Sequence, residues 1–183
     1  MLIVLLAIGM PLAADGGFVR LFNGKTLDDW TIVNQKGPGY VVQDGKIVCP
    51  KHGGGNIFYK RREFANFVLR LEYRMEPGGN NGVGIRAPLE GRISQVGMEI
   101  QILDDDSPRY QGKLRAYQYN GSVYGVFAAQ GGKPKPPWKW NKMEIRAEGR
   151  RIQVKVNGRT VVDGDLGTVN DPKVRAAHPG IAR

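Results

Sequence analysis

GMEIQILDDD, residues 97–106, alternates apolar and polar side chains as a β-strand does. In a strand, Met98 and the two isoleucines that follow it would face one side, and Glu99 and Gln101 the other. A carboxylate beside an amide binds hydroxyl groups both as acceptor and as donor, and in a partly dry groove it also transfers protons. The pattern therefore predicts a strand that lines a sugar-binding sheet. The simpler interpretation is a polar strand face in contact with water.

Similar short strands are predicted along the whole chain, with Gln43-Asp44-Gly45 and Asn157-Gly158 as hairpin turn signals. Besides residues 97–106, the predicted strands are Phe18–Phe22, Trp30–Val33, Tyr40–Val42, Lys46–Cys49, Asn56–Tyr59, Phe67–Met75, Gly82–Arg86, Gly121–Phe127, Asn141–Glu148, Arg151–Val156 and Thr160–Asp163. Helical turns are expected only within Glu63–Asn66 and Pro108–Tyr119. Many short strands joined by turns predict an all-β fold, an antiparallel sandwich.

The first fourteen residues are apolar and end in small residues. Such a run is too short to cross a bilayer as a helix and is typical of a secretory signal peptide, here cut near Ala14. The alternative is a buried N-terminal strand. With 183 residues in all, the chain suits one hydrophobic core. We therefore expect a signal peptide over 1–14, a single domain over 15–183, no transmembrane helix, and export to the periplasm or cell surface.

The formal charge of +10, from 27 basic and 17 acidic residues, raises the question of nucleic-acid binding. The basic groups are interleaved with acidic residues, however, as where Glu144 and Glu148 alternate with Arg146 and Arg150. No recognition helix or RNA-binding aromatic signature accompanies them. The sequence therefore predicts a solvated basic surface and no nucleic-acid partner.

Seven sequence blocks, taken in order, resemble the 3-keto-disaccharide hydrolase family, formerly a domain of unknown function. They are Leu21–Trp30, Phe67–Arg74, Asn80–Arg86, Glu99–Asp104, Gly121–Gly125, Trp140–Ile145 and Val156–Gly158. The resemblance implies a concanavalin A-like jelly roll, export, and action on glycosides that a partner sugar 3-oxidoreductase has oxidised at C3.

The C-terminal end departs from the family pattern. Members usually close with two further strands, whereas this chain stops at Arg183. The resemblance therefore implies a C-terminally truncated domain that lacks its last strand. Loss of a central strand would expose two sheet edges, so that the chain folds poorly or borrows a strand from elsewhere.

A ketone at C3 acidifies the hydrogen on C2, so that the glycosidic bond at C1 can break by elimination. This reaction needs a base near C2, an electrophile near the C3 oxygen and an acid for the leaving oxygen. Glu99 is the candidate base or acid, while Gln101 and Asn81 are candidates for holding substrate hydroxyls. We expect an enzyme that cleaves 3-keto-glycosides, either by elimination or by hydrolysis.

Four further residues are candidates for the site, each with a structural alternative. Arg86 could polarise the ketone or form a salt bridge with Glu99. His52 precedes a glycine-rich loop and could carry protons, or it is a surface histidine. Tyr124 and Trp140 could stack on sugar faces, or belong to the core.

The acidic run Asp104–Asp106 is read either as a calcium loop or as a turn that ends the strand. A divalent metal is left open, and no cofactor is assigned. Glu99 and Asp104 would face opposite sides of a regular strand, so the paired carboxylates of laminarinase-type hydrolases are not reproduced. The competing function is a non-catalytic, lectin-like carbohydrate-binding module, which would have no need of the Glu99 carboxylate.

Overall fold

The computed structural model describes residues 2–6 and 18–182. Its strands, numbered in chain order, are β1 Leu2–Leu6, β2 Trp30–Lys36, β3 Val41–Gln43, β4 Lys46–Cys49, β5 Gly54–Tyr59, β6 Phe67–Met75, β7 Asn80–Ile85, β8 Met98–Leu103, β9 Asn141–Glu148, β10 Arg151–Val156 and β11 Arg159–Asp165. The short helices α1 and α2 span Ile93–Val96 and Pro172–Ala177, and 3-10 turns lie at Ala116–Gln118, Leu166–Thr168 and Pro179–Ala182.

The strands form one large and two small antiparallel sheets. The large sheet has the order β11-β10-β9-β6-β1-β4-β3, while β2 pairs with β5 and β7 pairs with β8. The two small sheets cover one face of the large sheet. The predicted all-β antiparallel sandwich is confirmed.

The hydrophobic core lies between these layers, because the inward side chains of β6 meet those of β8. Leu71, Tyr73 and Met75 of β6 are buried, and their neighbours Arg70 and Arg74 alternate to the outer face. From the opposite layer, Met98, Ile100 and Ile102 complete the same cluster, and both isoleucines are 0% exposed. Each such apolar side chain stabilises the fold by about 1.5–3 kcal/mol when fully buried.

Two hairpins form at the turns that the sequence predicts. Asp44 and Gly45 join β3 to β4 with φ values of 50° and 72°, and Asn157 and Gly158 join β10 to β11 with 50° and 86°. Two consecutive residues at positive φ make the tight turn whose twist matches that of the flanking strands.

Two predicted strands are absent from the described structure. Phe18–Phe22 is irregular, although Leu21 and Phe22 are buried and Phe18 lies over the Arg70 guanidinium at 4.0 Å. Gly121–Phe127 folds back on itself, since the Phe127 amide donates to the Val123 carbonyl at 2.9 Å. In both segments the apolar pattern reflects burial in the core and not an extended strand.

The helical expectations were only partly right. Pro108–Tyr119 contains the 3-10 turn at Ala116–Gln118, whereas Glu63–Asn66 forms no helix. Helices α1 and α2 were not expected. Each spans at most six residues, which is too short to produce a clear helical periodicity.

The N-terminal strand β1 lies in the middle of the large sheet. It pairs with β4 on one side, where Leu2 is opposite Cys49, and with β6 on the other, where Leu6 is opposite Leu71. This position agrees with the alternative of an N-terminal strand. The rest of the predicted signal peptide, residues 7–14, lies outside the described residues, and cleavage near Ala14 stays a prediction.

The outer face of the large sheet carries cations and carboxylates in pairs. Arg70 Nε and Lys155 Nζ lie 2.7 and 3.2 Å from Glu144, and Arg151 Nε lies 2.7 Å from Asp163. This pairing agrees with the solvated basic surface that the sequence predicts. Among residues 2–6 and 18–182, no helix is long and apolar enough to span a membrane.

Candidate functional site

Strand β8 places Glu99 and Gln101 on the side of the sheet that faces away from the core. Glu99 lies opposite Gly84 of β7, and Gln101 opposite Gly82. Glu99 is half-buried and Gln101 is only 4% exposed. The two-faced strand predicted from residues 97–106 is therefore confirmed, and its polar face is enclosed by other parts of the protein.

The glycines of β7 make room for protein side chains. A Cβ atom at Gly82 would collide with Oε1 of Glu99, and one at Gly84 would come within 2.6 Å of Cγ2 of Ile93. Gly82 thus lets the Glu99 carboxyl group lie across the neighbouring strand.

Two cavities meet at Glu99, and Asn80 lines both of them. The first, about 310 Å³ in volume, lies between β5 and β7 and is also lined by Tyr40, Asn56, Ile57, Phe58, Asn81 and Ile93. The second, about 490 Å³, is bounded by β8 and loop residues and is also lined by Arg92, Gln101, Tyr110, Lys113, Gln118 and Tyr124. Both volumes lie within the range of about 300–1,000 Å³ that is usual for small-molecule sites.

The Glu99 carboxyl group has an altered acidity. Burial raises its pKa above the usual value for a glutamate, and the positive charge of Arg92 counteracts part of that rise. A glutamate with a raised pKa exchanges protons more readily near neutral pH than an ordinary surface glutamate does. Glu99 is thus suited to act as a base or an acid at the junction of the two cavities.

Hydrogen bonds hold the polar groups around the second cavity in place. The side-chain amide of Gln101 donates to Oδ1 of Asn80 at 2.9 Å, and the side-chain amide of Gln118 donates to the Tyr124 hydroxyl at 3.1 Å. The backbone amide of Tyr124 donates to the backbone carbonyl of Glu99 at 2.8 Å, which fixes this tyrosine beside β8. Its ring also packs edge-on against Tyr117, with ring centroids 6.1 Å apart.

The first cavity contains a second half-buried acid-base group, Tyr40. Burial raises the pKa of Tyr40 to about 12, so its hydroxyl stays protonated at neutral pH. The Asn81 amide lies 3.5 Å from this hydroxyl. Tyr40 and Asn81 together offer hydrogen-bonding groups in the first cavity, whereas Tyr124 lines the second.

Arg86 is not brought to the cavities. Its guanidinium donates to the Ala65 carbonyl, at 2.8 and 3.2 Å, and to the Gly149 carbonyl at 2.6 Å. The bonds to Ala65 tie the end of β7 to the segment before β6, and the bond to Gly149 ties it to the turn between β9 and β10. Arg86 has a φ of 49°. Neither role considered from the sequence, ketone polarisation or a salt bridge with Glu99, matches this position.

Replacing Arg86 with Met should lower stability while leaving the acidity of Glu99 unchanged. The variant loses charged hydrogen bonds to two backbone carbonyls, which together contribute about 1–3 kcal/mol. Thermal melting should show this loss, and the pH profile of activity should keep its position. A shift of that profile would place Arg86 in electrostatic contact with Glu99 after all.

His52 and Trp140 also lie outside both cavities. His52 is exposed in the turn before β5. The Arg74 guanidinium is 5.2 Å from the centre of the Trp140 ring. Since Arg74 alternates with the core residues of β6, this pair lies on the outer face of the large sheet. The structure thus brings together Glu99, Gln101, Asn81 and Tyr124, but not His52, Arg86 or Trp140.

The acidic run after β8 forms a structural turn. Asp104 accepts the Gly78 amide at 2.8 Å, Asp105 accepts the Asn120 amide at 2.8 Å, and Asp106 pairs with Lys133 at 2.8 Å. Burial raises the pKa of Asp105 to about 6. No group of three or more His, Cys, Asp or Glu side chains arranged to hold a metal occurs in the described part of the chain. These contacts favour the acidic turn over the calcium loop.

Several cavity residues were missed by the sequence analysis, among them Tyr40, Arg92, Tyr110 and Lys113. Most of them lie in loops or beside the short helix α1, where no periodic pattern indicates which side chains point inward. Asn80 had a detectable signal, because it precedes Gly82 and Gly84 on the same face of β7.

A family model described as the 3-keto-alpha-glucoside-1,2-lyase-like domain matches residues 17–180. The chain belongs to this family. The match covers strands β2 to β11, the Glu99 strand included, and begins after β1. It confirms the family to which the seven sequence blocks pointed.

Individual relatives agree with the family match. A 3-keto-disaccharide hydrolase from Bacteroides thetaiotaomicron is 25% identical over 88% of this chain, and the chain spans 63% of that relative's length. Crystal structures of two candidate glycosyl hydrolases from Parabacteroides distasonis superpose with TM-scores of 0.71 and 0.61. They are 25% and 28% identical, over 86% and 75% of this chain and 75% and 72% of theirs.

Proposed function

We propose that this protein cleaves glycosides oxidised to the ketone at C3, with Glu99 as the group that transfers the C2 proton. The observation that carries the proposal is the position of Glu99 at the junction of two polar cavities, with a pKa raised by burial. Family membership and the name of the Bacteroides relative support the substrate class.

The two cavities suggest how a substrate with two units would bind. One unit lies in the first cavity beside Tyr40 and Asn81, the other in the second beside Gln101 and Tyr124. The bond that joins the units then passes over Glu99. The carboxylate is thereby positioned next to C1 and C2 of the oxidised sugar.

Cleavage of the glycosidic bond by elimination needs a base and an acid, and Glu99 can serve as both. The Glu99 carboxylate removes the C2 proton, the electron pair forms the C1–C2 double bond, and the glycosidic oxygen leaves from C1. The Glu99 carboxylic acid, or a water molecule, returns a proton to the leaving oxygen. The positive charge of Arg92 lowers the pKa of Glu99, which favours the deprotonated carboxylate that acts as the base.

A chromogenic glucoside tests this function directly. The protein should release the aglycone from the 3-keto-glucoside and leave the unoxidised glucoside intact, because only the ketone acidifies the C2 hydrogen. Binding of the 3-keto-glucoside without release would instead support the carbohydrate-binding module.

The acidity of Glu99 predicts the pH dependence of the reaction. A base must be deprotonated, so activity should rise with pH through the pKa of Glu99, above the range of an ordinary glutamate. Replacing Arg92 with Met removes the charge that lowers this pKa. The acidic limb of the kcat/KM profile should therefore move to still higher pH. An unchanged limb would show that Arg92 does not act on the base.

We propose further that the protein is exported and that a separate oxidoreductase reaction supplies the C3 ketone. Cleavage near Ala14 would remove β1 and leave β4 and β6 without the partner described above. N-terminal sequencing of protein recovered from outside the cytoplasm should find a start near Asp15. Retention of Met1 on a cytoplasmic protein would contradict export.

A further inference from the structure

The second cavity is rich in positive charge. Arg92 and Lys113 both line it, and Glu99 is the one carboxylate among its lining residues. The loop that forms one wall, residues 107–119, contains Arg109, Lys113 and Arg115 but no Asp or Glu. The described lining of this cavity therefore has two cations, Arg92 and Lys113, for one carboxylate, Glu99.

Lys113 has no carboxylate within ion-pair distance among the described residues, unlike the paired cations of the outer sheet face. On the outer face of the large sheet, Arg70 and Arg151 lie within 2.7 Å of carboxylate oxygens. Lys113 Nζ instead donates to the Arg109 carbonyl at 3.2 Å. An ammonium group has three donors, so Lys113 has capacity left to bind an anionic group in the cavity.

We propose that the second cavity selects a glycoside unit that carries a carboxylate, and that Lys113 is the residue that recognises it. This inference rests on the proposed function, since it assigns the charge of the unit held on that side of Glu99. A uronic acid linked to the 3-keto sugar has this chemistry. Gln101 and Tyr124 would hold the ring, while Lys113 binds the carboxylate.

The test compares three disaccharides that share a 3-keto-glucosyl unit and differ in the second unit, which is glucose, glucuronate or glucose 6-sulfate. The full-length protein should show a kcat/KM for glucuronate roughly tenfold above that for glucose, an advantage that falls with added salt. The Lys113→Met variant should lose this ratio. Lys173→Met, changed at an exposed residue of α2, serves as the control and should keep it.

Several outcomes would overturn the proposal. They are equal kcat/KM values for glucose and glucuronate in the wild-type protein, or an equal fall for both substrates in Lys113→Met. A preference for sulfate without one for glucuronate would also refute the carboxylate assignment.

A binding measurement separates this proposal from the proposed function. Isothermal titration with the unoxidised disaccharides needs no turnover. If no 3-keto substrate is cleaved, the proposed function fails. Tighter binding of the glucuronate disaccharide that is lost in Lys113→Met would still support the carboxylate site, and equal binding of the glucose and glucuronate disaccharides would refute it.

Discussion

Glu99→Gln should reduce turnover of a 3-keto-glucoside about a hundredfold or more. The amide keeps the size of the side chain and most of its hydrogen bonding, but it does not accept the C2 proton. Sugar binding should persist, because Gln101, Asn81 and Tyr124 are unchanged. Steady-state kinetics should therefore show a fall in kcat. A binding titration with a non-reactive sugar should show little change in the dissociation constant.

The same variant should be at least as stable as the wild-type protein near neutral pH. Because burial raises the pKa of Glu99 in the folded state, its contribution to stability is present at low pH and is lost as pH rises through that pKa. A glutamine at this position is neutral at every pH, so the variant does not lose this stability as the pH rises.

Glu148→Gln, at an exposed position on the outer face of β9, is the matched control and should leave turnover unchanged. Unchanged turnover in Glu99→Gln would remove Glu99 from the mechanism.

Asn120→Ala should lower the free energy of unfolding by about 3 kcal/mol or more, a larger loss than for Arg86→Met or Glu99→Gln. Asn120 is 0% exposed, and its Oδ1 accepts the Tyr73 hydroxyl at 2.9 Å and the Leu103 amide at 3.2 Å. The alanine leaves both donors buried without a partner, at a cost of about 1–3 kcal/mol each. The melting temperature should fall by about 10 °C for a chain of this size.

Tyr73→Phe provides the graded comparison. It removes one donor and leaves the Leu103 amide bound to Asn120, so it should cost less than Asn120→Ala. Chemical denaturation of both variants would measure the difference. If Asn120→Ala were within about 0.5 kcal/mol of the wild-type protein, this buried network would not stabilise the end of β8.

The sequence predicted best the strands in which burial alternates strictly. β6, β9 and β10 begin and end at the predicted residues, because each has one face in the core and one in water. The prediction failed where apolar residues are buried without forming strands, as in Gly121–Phe127. There, Val123 is fully buried within a segment that reverses direction. The alternating pattern therefore predicts a strand where the backbone forms turns.

The site was predictable where it lies on strands. Glu99 and Gln101 were identified from the alternation of β8, because a two-residue period fixes which face a side chain takes. Arg92 and Lys113 come from segments without periodicity, and only the folded chain brings them to the cavity that Glu99 lines. Arg86 was misplaced because its left-handed backbone conformation, with φ at 49°, ends the regular alternation of β7.

The fate of the C2 hydrogen distinguishes elimination, with Glu99 as the base, from direct attack at C1. Proton NMR in D₂O should follow the C2 signal of a 3-keto-glucoside while the wild-type protein releases the aglycone. Elimination should cause the loss of one C2 proton for each aglycone released, at a rate that falls in parallel with turnover in Glu99→Gln. Aglycone release with the C2 proton retained would show direct attack at C1 and would contradict the role assigned to Glu99.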